Sequence, residues 1–185
     1  MVAFSVASAA CGDDSGERLP PPASPEPTPS PTATVDPDEA AAREVIDAYL
    51  RITAAGKVRS DPSLDGLDDL TTPPFANLIR SSFEQDRFFN RRYEGTIEVV
   101  WVKLLERNDT DLGPQLVVDT CLDWGNFVPV DIDTGEVNGD DPREYPARHL
   151  ARHYLLTNDE GEWVVDGAGL PGWFYGEREE AAKQC

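Results

Sequence analysis

Two apolar runs separated by a polar segment dominate the middle of the chain. Residues 95–106 (GTIEVVWVKLLE) and 115–124 (QLVVDTCLDW) are rich in β-branched and aromatic side chains, and the residues between them include Asn, Asp, Gly and Pro. This pattern is typical of a β-hairpin. Because the first run is apolar at almost every position, we predict a central strand that is covered on both faces.

Three amphipathic segments precede this hairpin. The first begins at Asp36, a good N-cap, with Pro37 next and Glu39 in the capping-box position, and we expect it to end at Gly56. Leucines in residues 64–70 predict a short second helix, and Thr72 followed by proline starts a third. The apolar stripes of the first and third helices, which we assign to the core, are Val45, Ile46, Tyr49, Leu50, Phe75, Leu78, Ile79 and Phe83.

Further β segments follow the hairpin. Residues 127–133 (FVPVDID) contain Pro129 and predict at most an edge strand. Residues 147–158 (ARHLARHYLLTN) and 162–169 (EWVVDGAG) predict two strands joined by a turn. Helices followed by an antiparallel sheet give the α+β class.

The N-terminal region has a different composition. Residues 1–10 are uncharged and mostly apolar and end in small side chains directly before Cys11, and residues 12–35 are rich in Pro, Ser, Thr and acids. Residues 12–35 contain too few apolar side chains for burial to offset the conformational entropy that ordering would cost, so we expect a disordered tether. The predicted organisation is a signal remnant in residues 1–11, a linker in 12–35 and a folded domain in 36–185.

Charge excludes two classes of partner. The net charge of -19 would repel both nucleic-acid phosphates and anionic lipid head groups. We therefore expect no nucleic acid, and contact with a membrane only through a lipid anchor.

The three cysteines are Cys11, Cys121 and Cys185. One lipidated cysteine and one disulfide pair would account for all of them in an extracytoplasmic protein. A bond between Cys121 and Cys185 would tie the C-terminus to a strand. A reactive thiol or a metal ligand are the alternatives, and neither a basic neighbour nor a CxxC spacing favours them.

The residues before Cys11 resemble the end of a bacterial lipoprotein signal peptide, because Ser8, Ala9, Ala10 and Cys11 occupy the lipobox positions. An ordinary secretory signal, with Cys11 incidental, is the alternative. Surface lipoproteins have this same order of segments: a lipidated cysteine, then a Pro-rich spacer, then a folded domain. We therefore expect an extracytoplasmic protein anchored by a lipid on Cys11, or otherwise a secreted one.

Several features of the folded region carry a resemblance: the element order, LxxLxxLTTP at 64–73, DTCLDW at 119–124, TGE at 134–136, GEWVV at 161–165 and the terminal cysteine. With these features the region resembles the cone-shaped domains of nuclear transport factor 2 and ketosteroid isomerase (SnoaL-like domains), and in particular small actinobacterial lipoproteins with one such domain. It implies N-terminal helices packed on a curved antiparallel sheet around a cavity. Both enzymes and non-catalytic binding domains are built on that fold.

Candidate catalytic groups are Asp119 and Asp123, which would share one face of a strand with Cys121. The resemblance to isomerases implies an acid acting as a general base in the cavity, with Tyr49 as a donor to a substrate oxygen. No isomerase motif matches here. We prefer structural or solvent-facing roles for both aspartates.

We predict no metal and no cofactor. His149 and His153 would lie about 13 Å apart on the predicted strand, too far for one ion. The acidic residues between 131 and 141 do not match the EF-hand spacing.

Aromatic side chains are the candidates for ligand contacts, with core filling as the alternative. The candidate residues are Trp101, Trp124, Tyr154 and Trp163 in the domain, and Trp173, Phe174 and Tyr175 as a lid or protein contact. The preferred function is a non-catalytic envelope domain that binds a small apolar ligand or another envelope protein, with a homodimer left open. The alternative is an isomerase- or hydratase-like enzyme that uses an aspartate.

Overall fold

The computed structural model describes residues 36–138, 147–169 and 185. In these ranges three helices precede six strands, which confirms the predicted α+β class. The helices are α1 (Pro37–Arg59), α2 (Leu67–Leu70) and α3 (Pro73–Phe88). The strands are β1 (Arg91–Glu94), β2 (Glu98–Thr110), β3 (Gly113–Asp123), β4 (Val128–Asp131), β5 (Arg148–Thr157) and β6 (Trp163–Gly169). No helix in the described part of the chain is long and apolar enough to cross a bilayer.

The strands form an open antiparallel sheet in the order β2-β3-β5-β6 and a separate two-stranded ribbon of β1 and β4. The predicted hairpin is present as β2 and β3, but its turn is shorter than expected, because Thr110 pairs with Gly113. Polar residues 107–110, expected in the loop, therefore belong to β2. The prediction of a central β2 is wrong: β2 is an edge strand, and the interior strands are β3 and β5.

The register of β2 explains the error. Its pairing with β3 is irregular between Val99 and Trp101 and again between Leu104 and Glu106. Each irregularity shifts the alternation of side chains between the two faces. Val100 and Leu105 are thus 36% and 38% exposed, so the continuous apolar run reflects these shifts and not burial on both faces.

The helices cover one face of the sheet, which we call the inner face. On β3 it carries Val118, Thr120 and Leu122, which are opposite His153, Ala151 and His149 of β5. The buried core that joins this face to the helices includes Ile46, Tyr49, Leu50, Phe75, Phe83, Val118, Leu122 and Leu155. Leu78 is an exception to the predicted core stripe, because it is 63% exposed on α3.

Helix α1 continues past Gly56, so the predicted end of this helix is wrong. The helix ends at Arg59, with Ser60 in the left-handed conformation at φ 52°. A Cβ on Gly56 would lie 2.3 Å from Leu64 Cδ2 and 3.0 Å from Phe83 Cε1. The glycine therefore allows close packing inside the helix and does not end it.

The start of α1 is tied to the edge strand β2. Asp36 caps the helix as predicted, with its Oδ1 accepting from the Asp38 amide at 2.9 Å. Glu39 does not complete a capping box, because its Oε2 accepts instead from the backbone N–H of Leu104 at 3.0 Å. Arg107 donates to Asp36 at 2.7 Å and to Asp38 at 2.6 Å. A hydrogen bond from Arg107 lowers the pKa of Asp36.

Cys121 lies on the opposite, outer face of the sheet. It alternates with Thr120 and is opposite Leu150 of β5. A disulfide joins it to Cys185, with the two Cα atoms 5.3 Å apart. The C-terminal residue is therefore held against the face of the sheet opposite the three described helices.

Gly95, just before β2, should tolerate no side chain. Its φ is 95°, and a Cβ there would lie 1.9 Å from the backbone oxygen of Asn126. We expect Gly95→Ala to lower the free energy of unfolding by roughly 2–4 kcal/mol, because strain and a backbone clash add. Gly135→Ala is the matched control, since Gly135 also has a positive φ (71°) but no atom within 4 Å of the added Cβ.

Chemical denaturation of both variants measures the difference. The control should lose only about 1 kcal/mol, from the left-handed backbone alone. Equal losses of stability in the two variants would mean that the short distance between Gly95 and the Asn126 backbone does not contribute to the stability of the fold.

Candidate functional site

A cavity of about 330 Å³ lies between α1, α3 and the inner face of the sheet. Most of its lining is apolar and includes Leu50, Ala54, Ile79, Ile97, Leu122 and Ala151. At one end the lining includes Tyr93 of β1 and Phe127, the residue directly before β4. This volume falls at the lower end of the range for small-molecule sites.

His153 contributes a buried imidazole to this cavity. It is 1% exposed, and its Nδ1 lies 3.1 Å from the Oγ1 of Thr120, its diagonal neighbour on β3. Burial lowers the pKa of His153 to about 4, opposed by the charge of Asp119. The ring is therefore neutral at pH 7, with Nδ1 committed to Thr120 and Nε2 as its remaining polar atom.

Tyr49 approaches His153 from α1. Its ring stands edge-on to the imidazole with centroids 6.3 Å apart, and the residue is 6% exposed. Burial raises the pKa of Tyr49, so the hydroxyl stays protonated. In the described ranges the buried side-chain atoms without a hydrogen-bond partner are Ser60 Oγ and Trp124 Nε1, so the Tyr49 hydroxyl is not a buried unsatisfied group. Tyr49 contributes a phenol to the lining of the cavity.

Lys57 is the cationic residue among the described lining residues, and its charge is already balanced. Its Nζ binds the Asp86 carboxylate, and the other oxygen of that carboxylate accepts from Arg91 Nε at 2.9 Å. The ammonium also lies 4.6 Å from the centre of the Phe83 ring. Burial, followed by the charge of Asp86, raises the pKa of Tyr93 beside it. Lys57 therefore does not present a free positive charge to the cavity.

An aromatic cluster borders the cavity beside the ribbon. The rings of Tyr93 and Phe127 stack with centroids 4.8 Å apart, and Trp124 meets Phe127 edge-on at 6.0 Å. The indole N–H of Trp124 is buried and has no acceptor in the described part of the chain. Trp124 is thus a predicted ligand-contact residue that does line the cavity.

The other aromatic residues that were predicted to contact a ligand do not line the cavity. Trp101 is opposite Cys121 and so belongs to the outer face, and Tyr154 is 38% exposed. Trp163, paired with Thr157 at the start of β6, packs against the core. The faces on which these side chains lie depend on register, which the aromatic content of a strand does not specify.

Asp119 and Asp123 share a face with Cys121, as predicted, but this is the outer face. Asp119 accepts from Arg152 at 2.8 and 3.1 Å. Asp123 accepts from the amide of Gly125 at 2.9 Å and pairs with Arg148 at 3.6 Å. Neither carboxylate lines the cavity, so the structure does not bring the two aspartates together with Tyr49.

The residues considered as possible metal ligands lie on a strand and in a hydrogen-bonded turn. His149 and His153 lie on strand β5, as predicted, and within the described ranges no group of three or more His, Cys, Asp and Glu residues could hold an ion. Asp131 Oδ1 accepts from the amides of Asp133 and Thr134. The backbone hydrogen bond from Thr134 lowers the pKa of Asp131. The predicted residues outside the described ranges are Cys11, Asp140, Asp141, Trp173, Phe174 and Tyr175.

No protein-family model matches the chain, and no curated protein matches it. Among solved structures it is similar to the intermembrane space region of the chloroplast protein ARC6, with a TM-score of 0.51 and 9% identity over 74% of this chain and 97% of that chain. A conserved protein from Planctomyces limnophilus DSM 3776 matches with a TM-score of 0.35 and 16% identity over 71% of this chain and 92% of that chain. At such identities the first likeness shows the fold alone, and the second carries no argument.

Proposed function

We propose that this chain is a cell-envelope lipoprotein whose α+β domain binds a small apolar ligand and catalyses no reaction. The observation that carries the proposal is the cavity of about 330 Å³ on the inner face of the sheet. Its lining is mostly apolar with a few polar groups, which is the composition expected of a small-molecule site. The domain is proposed to be a cone of the nuclear transport factor 2 type, supported by the order of helices before sheet and by the position of the cavity.

The absence of catalysis is supported by the lining of the cavity. A general base must come within hydrogen-bond reach of the substrate. Among the described residues that line this cavity there is no carboxylate, and Asp119 and Asp123 bind arginines on the outer face. The isomerase- or hydratase-like alternative would need one of these two carboxylates in the cavity, so no observation favours it.

The anchor is supported by the sequence of the N-terminal region. Small residues precede Cys11, and a Pro-rich linker separates it from the domain. Mass spectrometry of the membrane fraction from an actinobacterial host should find a diacylglyceryl group on Cys11, and Cys11→Ser should move the protein to the soluble fraction. A mature soluble chain that begins at another residue would refute the anchor but not the ligand site.

Filling the cavity should abolish binding of an apolar probe. Ala54 of α1 lines the cavity, whereas Ala40 of the same helix is exposed. We expect the neutral dye N-phenylnaphthylamine to bind the protein with saturable fluorescence enhancement. Ala54→Phe should weaken binding by roughly ten-fold or more, because a phenyl ring would occupy most of the space available to the dye.

Ala40→Phe is the matched control, with the same added volume on the same helix. It should bind the dye as the unaltered protein does. Thermal unfolding of both variants checks that the domain stays folded. Equal dye affinity in the two variants would place binding outside the cavity and overturn the proposed function.

A further inference from the structure

We propose that the outer face of the sheet is a docking surface for the chain's own C-terminal segment, residues 170–184. The disulfide at Cys185 ties the end of this segment to Cys121 of an interior strand, and the apolar side chains of the segment cover the strands. An occupant from the same chain leaves this face unavailable to a second copy of the domain, so the protein is a monomer. The inference concerns the face opposite the cavity and does not depend on the proposed ligand.

The outer face carries apolar side chains that are buried. Val117 is 6% exposed, and Leu150, Leu156 and Val164 are each 5% exposed. Strand pairing places them on this face, because Leu150 is opposite Cys121 and Val164 is opposite Leu156, while Val117 lies four positions before Cys121 in β3. None of the four belongs to the core cluster that joins the inner face to the helices. An uncovered face of an antiparallel sheet is solvated, so the burial of these side chains indicates a covering layer.

The helices and strands that the structure describes do not supply this layer. The three helices pack on the inner face, and the ribbon of β1 and β4 reaches the cavity on that same side through Tyr93 and the adjacent Phe127. In the described part of the chain, the residue that is held against the outer face by a bond is Cys185. The covering layer therefore comes from residues outside the described ranges.

The two ends of residues 170–184 are fixed close to the outer face. The segment starts directly after Gly169, which is opposite Arg152 at the end of β6, and stops at the disulfide-bonded Cys185. Gly169 and Cys121 are separated by two strand spacings and two residues along the sheet, which is roughly 12 Å. The segment could span about 50 Å when fully extended. It therefore has ample length to lie across the strands between its two ends.

The composition of the segment fits an apolar surface. Residues 170–184 read LPGWFYGEREEAAKQ, with three consecutive aromatic side chains at 173–175. Aromatic side chains bury large apolar areas and are suited to cover a sheet face. Residues 139–146 (GDDPREYP) contain a single aromatic side chain, and residues 12–35 are rich in Pro and polar residues. Residues 170–184 are thus the stretch with both the position and the apolar area that the face requires.

The charged groups of the outer face are compatible with an apolar occupant. Asp119 pairs with Arg152 at 2.8 Å, and Asp123 pairs with Arg148 at 3.6 Å. The side chain of Asp119 is only 13% exposed, so this ion pair is itself partly shielded from water. Because each carboxylate already has a cationic partner, aromatic side chains can pack around these pairs without leaving a buried charge unpaired.

A photo-crosslinker on the outer face tests which molecule occupies it. Tyr154 lies there, opposite Val117, and is 38% exposed, so p-benzoylphenylalanine in its place should preserve the fold. Irradiation of the full-length, oxidised protein should join this position to a peptide from residues 170–184 of the same molecule, which mass spectrometry identifies. The same crosslinker in place of Leu78, which is 63% exposed on α3, is the matched control and should give no crosslink to that peptide.

Removal of the aromatic side chains should uncover the face while the disulfide stays intact. The triple variant Trp173→Ser, Phe174→Ser and Tyr175→Ser should show hydroxyl-radical labelling of Leu150 and Leu156 that is higher by roughly three-fold or more, because an uncovered sheet face is solvated. The matched control has three substitutions in the polar part of the same segment, and its labelling should be unchanged. These substitutions are Glu179→Ser, Glu180→Ser and Lys183→Ser.

The expected result is a monomer in sedimentation equilibrium with the crosslink inside one molecule. A crosslink between two molecules, together with a dimer, would overturn the inference and make a second copy the occupant. A crosslink to neither, or equal labelling in the aromatic and control variants, would also overturn it. Thermal unfolding checks that both triple variants are folded, and the crosslinking experiment requires neither of them. None of these outcomes affects the test of dye binding in the cavity.

Discussion

Loss of the bond between Cys121 and Cys185 should lower the free energy of unfolding by about 4 kcal/mol. The bond joins residues 64 positions apart, from an interior strand to the last residue. Such a cross-link removes conformations chiefly from the unfolded chain, and the effect grows with the logarithm of the loop length. A loss of this size is a large fraction of the stability of a typical domain.

Cys185→Ser is the variant of choice, because Cys121 is fully buried and a serine there would add a second effect. Denaturation in guanidinium chloride should show the same stability for Cys185→Ser and for the reduced protein, each in a Cys11→Ser background that prevents thiol exchange. Thiol titration of the unfolded, unreduced protein of that background should find no free thiol. Two free thiols, or a Cys185→Ser variant as stable as the oxidised protein, would contradict the expectation.

The disulfide and the cavity lie on opposite faces of the sheet, which separates stability from binding. Cys121 alternates with Thr120, so one points outward and the other toward His153. We therefore expect Cys185→Ser to bind N-phenylnaphthylamine with unchanged affinity at temperatures where it stays folded.

Acidification should destabilise the domain through His153 before the carboxylates titrate. The pKa of His153 is lowered from 6.5 to about 4 in the folded protein, mainly by burial. Below pH 6.5 the unfolded chain takes up a proton that the folded protein refuses, so stability falls as the pH falls. The loss is complete below about pH 4 and amounts to about 3 kcal/mol.

The comparison of urea unfolding at pH 7.5 and pH 4.5 should isolate this effect. His153→Gln keeps a neutral hydrogen-bonding side chain, so it should lose about 2–3 kcal/mol less than the unaltered protein between these two values. The carboxyl groups whose folded pKa is lowered, Asp36, Asp61 and Asp131, contribute stability that is lost only below their unfolded value of 3.8. An identical pH dependence of the two proteins would show that His153 is not held neutral.

Sequence patterns predicted the helices and strands more accurately than they predicted which strands lie side by side in the sheet. Asp36 marks the start of α1 through a local capping hydrogen bond. Thr72 marks the start of α3 although its side chain makes no capping bond and its Oγ1 donates to Asp166 at 2.7 Å. The strand assignment of β5 and the turn before β6 were also correct, since alternation and turn residues act over a few positions. The position of β2 at the edge was missed, because two irregularities in its pairing make an edge strand look apolar on both faces.

The candidate site was only partly visible in the sequence. Tyr49 was named as a possible donor because the resemblance to isomerases implies one, and it was also assigned to the apolar stripe of α1. His153 was weighed only as a metal ligand, and Thr120 was not considered. A weak signal was present, since each shares a strand face with apolar residues two positions away: Val118 and Leu122 for Thr120, and Ala151 and Leu155 for His153. That signal does not reveal that the two residues are diagonal neighbours in one sheet.

The sequence by itself determined the α+β class, the helix starts, most of the strand segments and, in the regular strand β3, which side chains share a face, because these depend on contacts between near neighbours in the chain. Tertiary structure alone decided which face the helices cover. That choice put His153 at the cavity with Tyr49, with Thr120 in hydrogen-bonding contact with the His153 ring, and left Asp119, Asp123 and Tyr154 on the other side. The physical reason is that strand register and helix docking are set by burial over the whole core, which no local segment encodes.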